Sequence, residues 1–191
     1  MSSPDNSASP PNWAGYVVLV DADDQPLGTA PKLIAHQRGL KHRAVSVMLF
    51  DSADRLIVQR RHAAKYHSGN LWANTCCTHP GPDEAIDDVA RSRLVEEMGI
   101  QCPVELLLTT SYRAEVSNNL IEDEVVHVFV GRYDGPVTPN NDEVSEWTAI
   151  SLPELVADQG SHPEAYAVWF LHYLRAHRLA IEAWLASRKR T

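Results

Sequence analysis

The sequence is short of positive charge, of cysteine and of long apolar runs, and each shortage excludes something. Lys and Arg number 17 against 25 Asp and Glu, a formal net charge of -8. That balance argues against a general nucleic-acid surface and against an anionic-membrane surface. It leaves room for a small anionic ligand held by a few local cations. Three cysteines, Cys76, Cys77 and Cys102, are an odd count, and no C-x-x-C pair occurs. No apolar run approaches the length of a bilayer span. The opening MSSPDNSASPPN has no apolar core of a secretory leader. These absences predict a cytoplasmic protein with free thiols, no nucleic-acid partner and no membrane partner.

What is present suits one globular unit. Hydrophobic residues make up 44% of 191 residues, enough for a single core. Residues 1–12 read as a disordered polar arm, and 13–191 as a single domain. Strands are predicted at YVVLVD, RAVSVMLFD, RLIVQRR, VELLLTTSYRAEV, EDEVVHVFVGRY and EWTAIS, with LGTA as a partner of the first. APKLIAHQRGLKH is irregular or a short helix. DEAIDDVARSRLVEEMG carries the best helical spacing, with Gly99 as its stop. LPELVAD is a short helix, and Pro163 to Lys189 follows a helical pattern. AAKYHSGNLWANTCCTHPGP has no period and reads as a functional loop. The order of elements predicts an α/β fold with a mixed sheet between helices.

Nine histidines are many for this length, and some fall near acids. His36 and His42 lie in IAHQRGLKH, His79 in CCTHP, and Glu122 and Glu124 in IEDEVVHVF. On a strand Glu122 and Glu124 face the same side, where two carboxylates repel unless a cation separates them. Imidazole with carboxylate suits Zn²⁺, Mn²⁺ or Fe²⁺. His127 alternates to the other face, and His62, His67, His162, His172 and His177 stand in no motif.

Glu84 to Ile100 resembles the helix of the Nudix superfamily, with Glu84, Leu94, Glu96, Glu97, Gly99 and Ile100 in frame. Its Arg-Glu pair is Ser92-Arg93 here, so a cation replaces one of the carboxylates that gather Mg²⁺ for hydrolysis. The wider chain, from about Trp13 to Trp169, resembles the type 1 isopentenyl-diphosphate isomerases. The resemblance rests on Lys32 with His36, HRAVSVMLF, QRR with Lys65, LWANTCCTHP, the altered helix, YRA, EDEVVHVF and NNDEV.

The resemblance implies a Nudix-like single domain that interconverts isopentenyl and dimethylallyl diphosphate for isoprenoid synthesis. It implies Cys77 and Glu124 as catalytic residues. It implies one Mn²⁺ or Zn²⁺ on His36, His42, His79, Glu122 and Glu124. Mg²⁺ is implied on the substrate diphosphate, held by Glu97 and the Cys77 backbone carbonyl. Lys32, Arg61, Lys65 and Arg93 are implied as diphosphate contacts, with Arg61 preferred to Arg60 by strand alternation. Tyr112 and Trp169 match aromatic pocket positions. The only partner expected is the small diphosphate, and the expected state is a monomer or weak homodimer.

The chemistry needs an acid and a base on opposite faces of a five-carbon unit, with water shut out. The residues do not settle which of Cys77 and Glu124 gives the proton, though a Glu124 donor reached through Tyr112 is the favoured reading. Two rivals stand beside it: a Nudix hydrolase of nucleoside diphosphate derivatives, and a non-enzymatic metal or redox module built on Cys76–Cys77. Cys76, pointing away from Cys77 on an extended segment, is expected to pack.

Overall fold

The computed structural model describes residues 15–188, so the predicted arm over residues 1–12 lies outside them. In chain order the elements are β1 (Tyr16–Val20), β2 (Pro26–Pro31), α1 (Lys32–Arg38), β3 (His42–Phe50) and β4 (Arg55–Arg61). They continue with β5 (Trp72–Ala73), β6 (Cys76–Thr78), α2 (Ile86–Met98), β7 (Val104–Val116) and β8 (Leu120–Arg132). β9 (Val144–Ser151), α3 (Leu152–Ser161) and α4 (Val168–Arg188) complete the order.

β3 is the spine of the sheet. Every residue of HRAVSVMLF except Arg43 is buried, as expected of a strand covered on both faces. β3 pairs parallel with β8 and antiparallel with β1, β4 and β6, so the sheet is mixed. β2 extends it beyond β1, β7 beyond β8, and β5 and β9 pair with β4.

Strand alternation sorts β3 between two cores. Ala44, Met48 and Phe50 pack with Val126, Val128 and Val130 of β8 against Phe170, Tyr173 and Leu174 of α4. Val45, Val47 and Leu49 pack with Val89, Ala90, Leu94 and Met98 of α2. Helices therefore cover both faces, the predicted α/β layering. α2 ends at Gly99, whose φ of 64° is left-handed and whose added Cβ would sit 2.5 Å from the Thr138 carbonyl oxygen. Only glycine fits that cap. Leu94 is fully buried. Leu94→Ala is expected to lower stability by about 2–5 kcal/mol in urea unfolding, with an unchanged m-value. A cost under about 1 kcal/mol would show that α2 does not anchor this core.

Two segments differ from the pattern read off the sequence. The loop before α2 contributes β5 and β6, because β6 pairs along Val45–Val47 of β3. The helical pattern from Pro163 becomes helix α4 only at Val168. Ala167 instead donates its backbone N–H to the Trp72 carbonyl (2.9 Å), and Tyr166 bridges to Trp72. Among the described residues no helix is long and apolar enough to cross a membrane.

Candidate active site

Register brings the polar residues together. His42 of β3 faces Glu124 of β8, Tyr112 of β7 faces Glu124 from the other side, and Ser46 of β3 faces Cys77 of β6. One pocket results, lined by Cys77, Glu122, Glu124, Lys32, Arg61 and Trp169 among others.

The metal-type ligands converge at one end. His36 and His42 are fully buried. Each places Nδ1 2.7 Å from a backbone carbonyl, of Lys32 and Leu40 respectively. A carbonyl only accepts, so each Nδ1 carries the proton and each Nε2 keeps a bare lone pair. Both Nε2 atoms are buried without a hydrogen-bond partner. His36, His42, His79 and Glu124 offer donor atoms within 4.8 Å of one another, and His36, His67 and Glu122 do the same. His79 Nε2 lies 2.9 Å from Glu124 Oε1. Orphaned imidazole lone pairs beside carboxylates, fixed from behind by backbone carbonyls, fit a divalent metal.

Electrostatics agree with that fit. Burial lowers His36 to about 4, against its hydrogen bond to Lys32, so its imidazole is neutral. Burial holds His79 well below its usual range. Burial, then the Glu124 charge, pushes Glu122 up to about 8. Burial also pulls Glu124 upward, but the His42 and His79 imidazoles, 3.4 and 2.9 Å from its Oε1, outweigh it and keep the carboxylate well below its usual range. The Tyr112 hydroxyl spans both acids, 2.7 Å from Glu122 and 2.8 Å from Glu124.

Cys77 sits in a network that sequence reasoning did not single out. Its sulfur lies 3.0 Å from Ser46 Oγ and donates to Asn74 Oδ1 at 3.2 Å. The same Asn74 oxygen accepts from Trp169 Nε1 at 3.2 Å. Ser46 donates to the Tyr173 hydroxyl at 2.9 Å. Burial pushes the thiol up to about 12, against the hydrogen bonds of Ser46 and Asn74. Asn74 stands within the NTCCTHP run and was therefore findable. Ser46 and Tyr173 are 127 positions apart, and no local signal joins them. Cys76 turns into the α2 core and is 1% exposed, which matches its expected packing role.

The cations form the mouth. Lys32 and Arg61 line the cavity. Burial, then Arg61, lowers Lys32 to about 8. The Arg61 guanidinium stacks 5.1 Å above the Trp169 ring, while Arg60 turns away to Glu146. Lys65 and Arg93 both reach the Glu143 carboxylate, another group the sequence reading left out. Arg93 also donates to Glu97 at 2.8 Å, and Gln59 holds the second Glu97 oxygen at 2.8 Å.

Comparison with known proteins gives this arrangement its relatives. A NUDIX domain model matches residues 40–170. An isopentenyl-diphosphate Delta-isomerase of Burkholderia multivorans is 50% identical over 154 residues, covering 81% of this chain and 88% of its own. Isopentenyl-diphosphate Delta-isomerase 1 of Aromatoleum aromaticum is 50% identical over 153 residues, covering 80% and 86%. Among solved structures, a Deinococcus radiodurans protein superposes with a TM-score of 0.69 at 15% identity, over 85% of this chain and 99% of its own. The MutT protein of Methanosarcina mazei superposes with a TM-score of 0.59 at 16% identity, over 78% and 96%. These two structures speak for the fold alone.

Proposed function

The chain belongs to the Nudix family and, within it, to the isopentenyl-diphosphate Delta-isomerases, and from that premise we propose how its site divides the work. It is an isomerase that interconverts isopentenyl diphosphate and dimethylallyl diphosphate. Moving the double bond adds a proton at one carbon and removes one from another, through a tertiary carbocation-like species. We assign those two transfers to Cys77 and Glu124. The observation that carries this assignment is that a thiol pushed up by burial and a carboxylate held below its usual range line one pocket.

The free site holds one proton on sulfur and none on Glu124. In one direction Cys77 gives its proton to the alkene while Glu124 takes the one released. In the other direction the roles exchange. A thiol that burial keeps protonated supports donation from sulfur as the alternative to the Glu124 donation favoured from sequence. The Ser46 hydroxyl, 3.0 Å from the sulfur, is the group that can turn its proton to the thiolate that forms, whereas Asn74 Oδ1 only accepts from the thiol. Tyr112 holds Glu124 in place and links it to Glu122. Trp169 offers an aromatic face to the cationic carbon skeleton, worth about 0.5–2 kcal/mol. The apolar walls Ala44, Val45 and Val126 exclude the water that would trap a carbocation.

His36, His42, His79, Glu122 and Glu124 would hold Mn²⁺ or Zn²⁺. Bound there, the ion supplies charge that keeps Glu122 and Glu124 together and fixes the Glu124 carboxylate. Glu97, with the Cys77 backbone carbonyl, would hold Mg²⁺ on the diphosphate, since a hard cation takes oxygen ligands. Lys32, Arg61, Lys65 and Arg93 take the phosphate oxygens. Glu143 occupies Lys65 and Arg93 until the diphosphate replaces it. The enzyme is a monomer or weak homodimer working in the cytoplasm.

The test of function is conversion of isopentenyl diphosphate with and without Mg²⁺, beside phosphate release from a nucleotide panel. Isomerisation that needs Mg²⁺, with no nucleotide hydrolysis, is expected. Hydrolysis without isomerisation would overturn the reading. Arg93→Ala is expected to raise KM about 10–100-fold, the loss of one charge-assisted contact. Unchanged KM would remove Arg93 from diphosphate binding.

A further inference from the structure

His67 belongs to no motif in the sequence, yet it is 4% exposed and lines the cavity. Its loop carries it over the metal-type cluster. Its Nδ1 is engaged with Ser68 Oγ at 3.1 Å, and its Nε2 faces Glu122 Oε1 at 3.5 Å. The His67 ring stacks on His36, with centroids 5.3 Å apart and an interplanar angle of 30°.

Two sets of donors meet at His36: one with His42, His79 and Glu124, the other with His67 and Glu122. His36 has a single free lone pair, because its Nδ1 is committed to the Lys32 carbonyl. One lone pair serves one ion, so both sets describe a single centre. Tyr112 supports this by binding both carboxylates through one hydroxyl. The centre then has six donors. With metal–nitrogen bonds of about 2.1 Å, neighbouring ligands of an octahedron stand about 3.0 Å apart and opposite ones about 4.2 Å. His67 to Glu122 at 3.5 Å and His42 to Glu124 at 3.4 Å lie between those limits, close to the shape that a bound ion would draw tight.

We propose that His67 is the sixth ligand of the metal centre, closing a His₄Glu₂ shell around the ion. The inference rests on the five-residue centre proposed above. A closed shell has no position for water or substrate, as in structural metal sites. The ion of this chain then acts by holding Glu124 rather than by binding the alkene or activating water. A closed shell also removes a water from a cavity where a carbocation must survive.

The rival explanation is that His67 only hydrogen-bonds Glu122 and orients it. Glutamine keeps a donor near the position of Nε2 but is a poor transition-metal ligand, so His67→Gln separates the two. The full chain is loaded with Zn²⁺ alone, without Mg²⁺ or substrate. X-ray absorption is then used to count imidazole ligands, and competition with a chelator gives affinity. Four imidazoles in the unsubstituted protein, three in His67→Gln and an affinity loss above about 100-fold are expected, beyond the about 10–100-fold typical of an outer-shell partner. Three imidazoles in the unsubstituted protein, or an affinity loss in His67→Gln of about 100-fold or less, overturns the proposal. His36→Ala tests the underlying centre separately: if it binds Zn²⁺ as tightly as the unsubstituted protein, the centre itself is wrong. If His36→Ala loses the metal while His67→Gln does not, the sixth ligand alone fails.

Discussion

Cys77→Ala is expected to lower kcat for isomerisation by about 10²–10⁴-fold, the usual worth of a positioned proton-transfer group. Alanine leaves the cavity intact and takes away the only thiol on its wall among the described residues. The fold should survive, because Cys77 lies at the edge of the α4 core rather than within it. Glu124→Gln should fall at least as far, since it removes the second proton-transfer group and one donor to the metal centre. Cys76→Ala is the control that gives the pair its meaning. Its side chain faces α2, on the other side of the sheet, so stability should drop while kcat holds. Full activity in Cys77→Ala, or an inactive but folded Cys76→Ala, would exchange the roles of two adjacent residues and sink the mechanism. Turnover at saturating substrate, with circular dichroism as a check on folding, measures both.

Removal of the metal is expected to abolish activity and to destabilise the fold together. The Nε2 atoms of His36 and His42 are buried without partners, and each orphan costs about 1–3 kcal/mol. Glu122 and Glu124 share one tyrosine hydroxyl and repel each other. An ion bound to the native state alone, at about 1,000 times its Kd, stabilises by about 4 kcal/mol. For a chain of this size each kcal/mol moves Tm by about 2–4 °C, so chelation should lower Tm by about 8–16 °C. Addition of Mn²⁺ or Zn²⁺ should restore both Tm and activity, whereas Mg²⁺ alone should restore neither, because it prefers oxygen donors. A chelated protein with unchanged Tm and activity would show that the His–Glu centre holds no ion. Calorimetry and the isomerase assay on the same sample decide.

Much of this was legible in the chain. The β3 run RAVSVMLF, the α2 helix with its glycine stop and the two long strands β7 and β8 follow from period and composition, because each buries a face that only one local structure supplies. The altered Nudix helix and the run NTCCTHP, with a downstream Glu-x-Glu, carry the family resemblance within the sequence itself. The separation of Cys76 from Cys77 also followed, since neighbours on a strand face opposite sides.

What the chain alone left undetermined depends on contacts between distant elements. Ser46 meets Cys77 and Tyr173 only because β6 pairs with β3 and α4 crosses the same face. Lys65 and Arg93 meet at Glu143 because a loop, a helix and the start of β9 converge there. His67 gave no signal, because its partners His36 and Glu122 lie 31 and 55 positions away, and only folding brings their donors together. The sequence determined the kind of chemistry, since motif residues report it locally. Tertiary structure decided the burial of Cys77 and Glu124 and the convergence of His36, His42, His79 and Glu124, because burial and donor geometry belong to the folded chain.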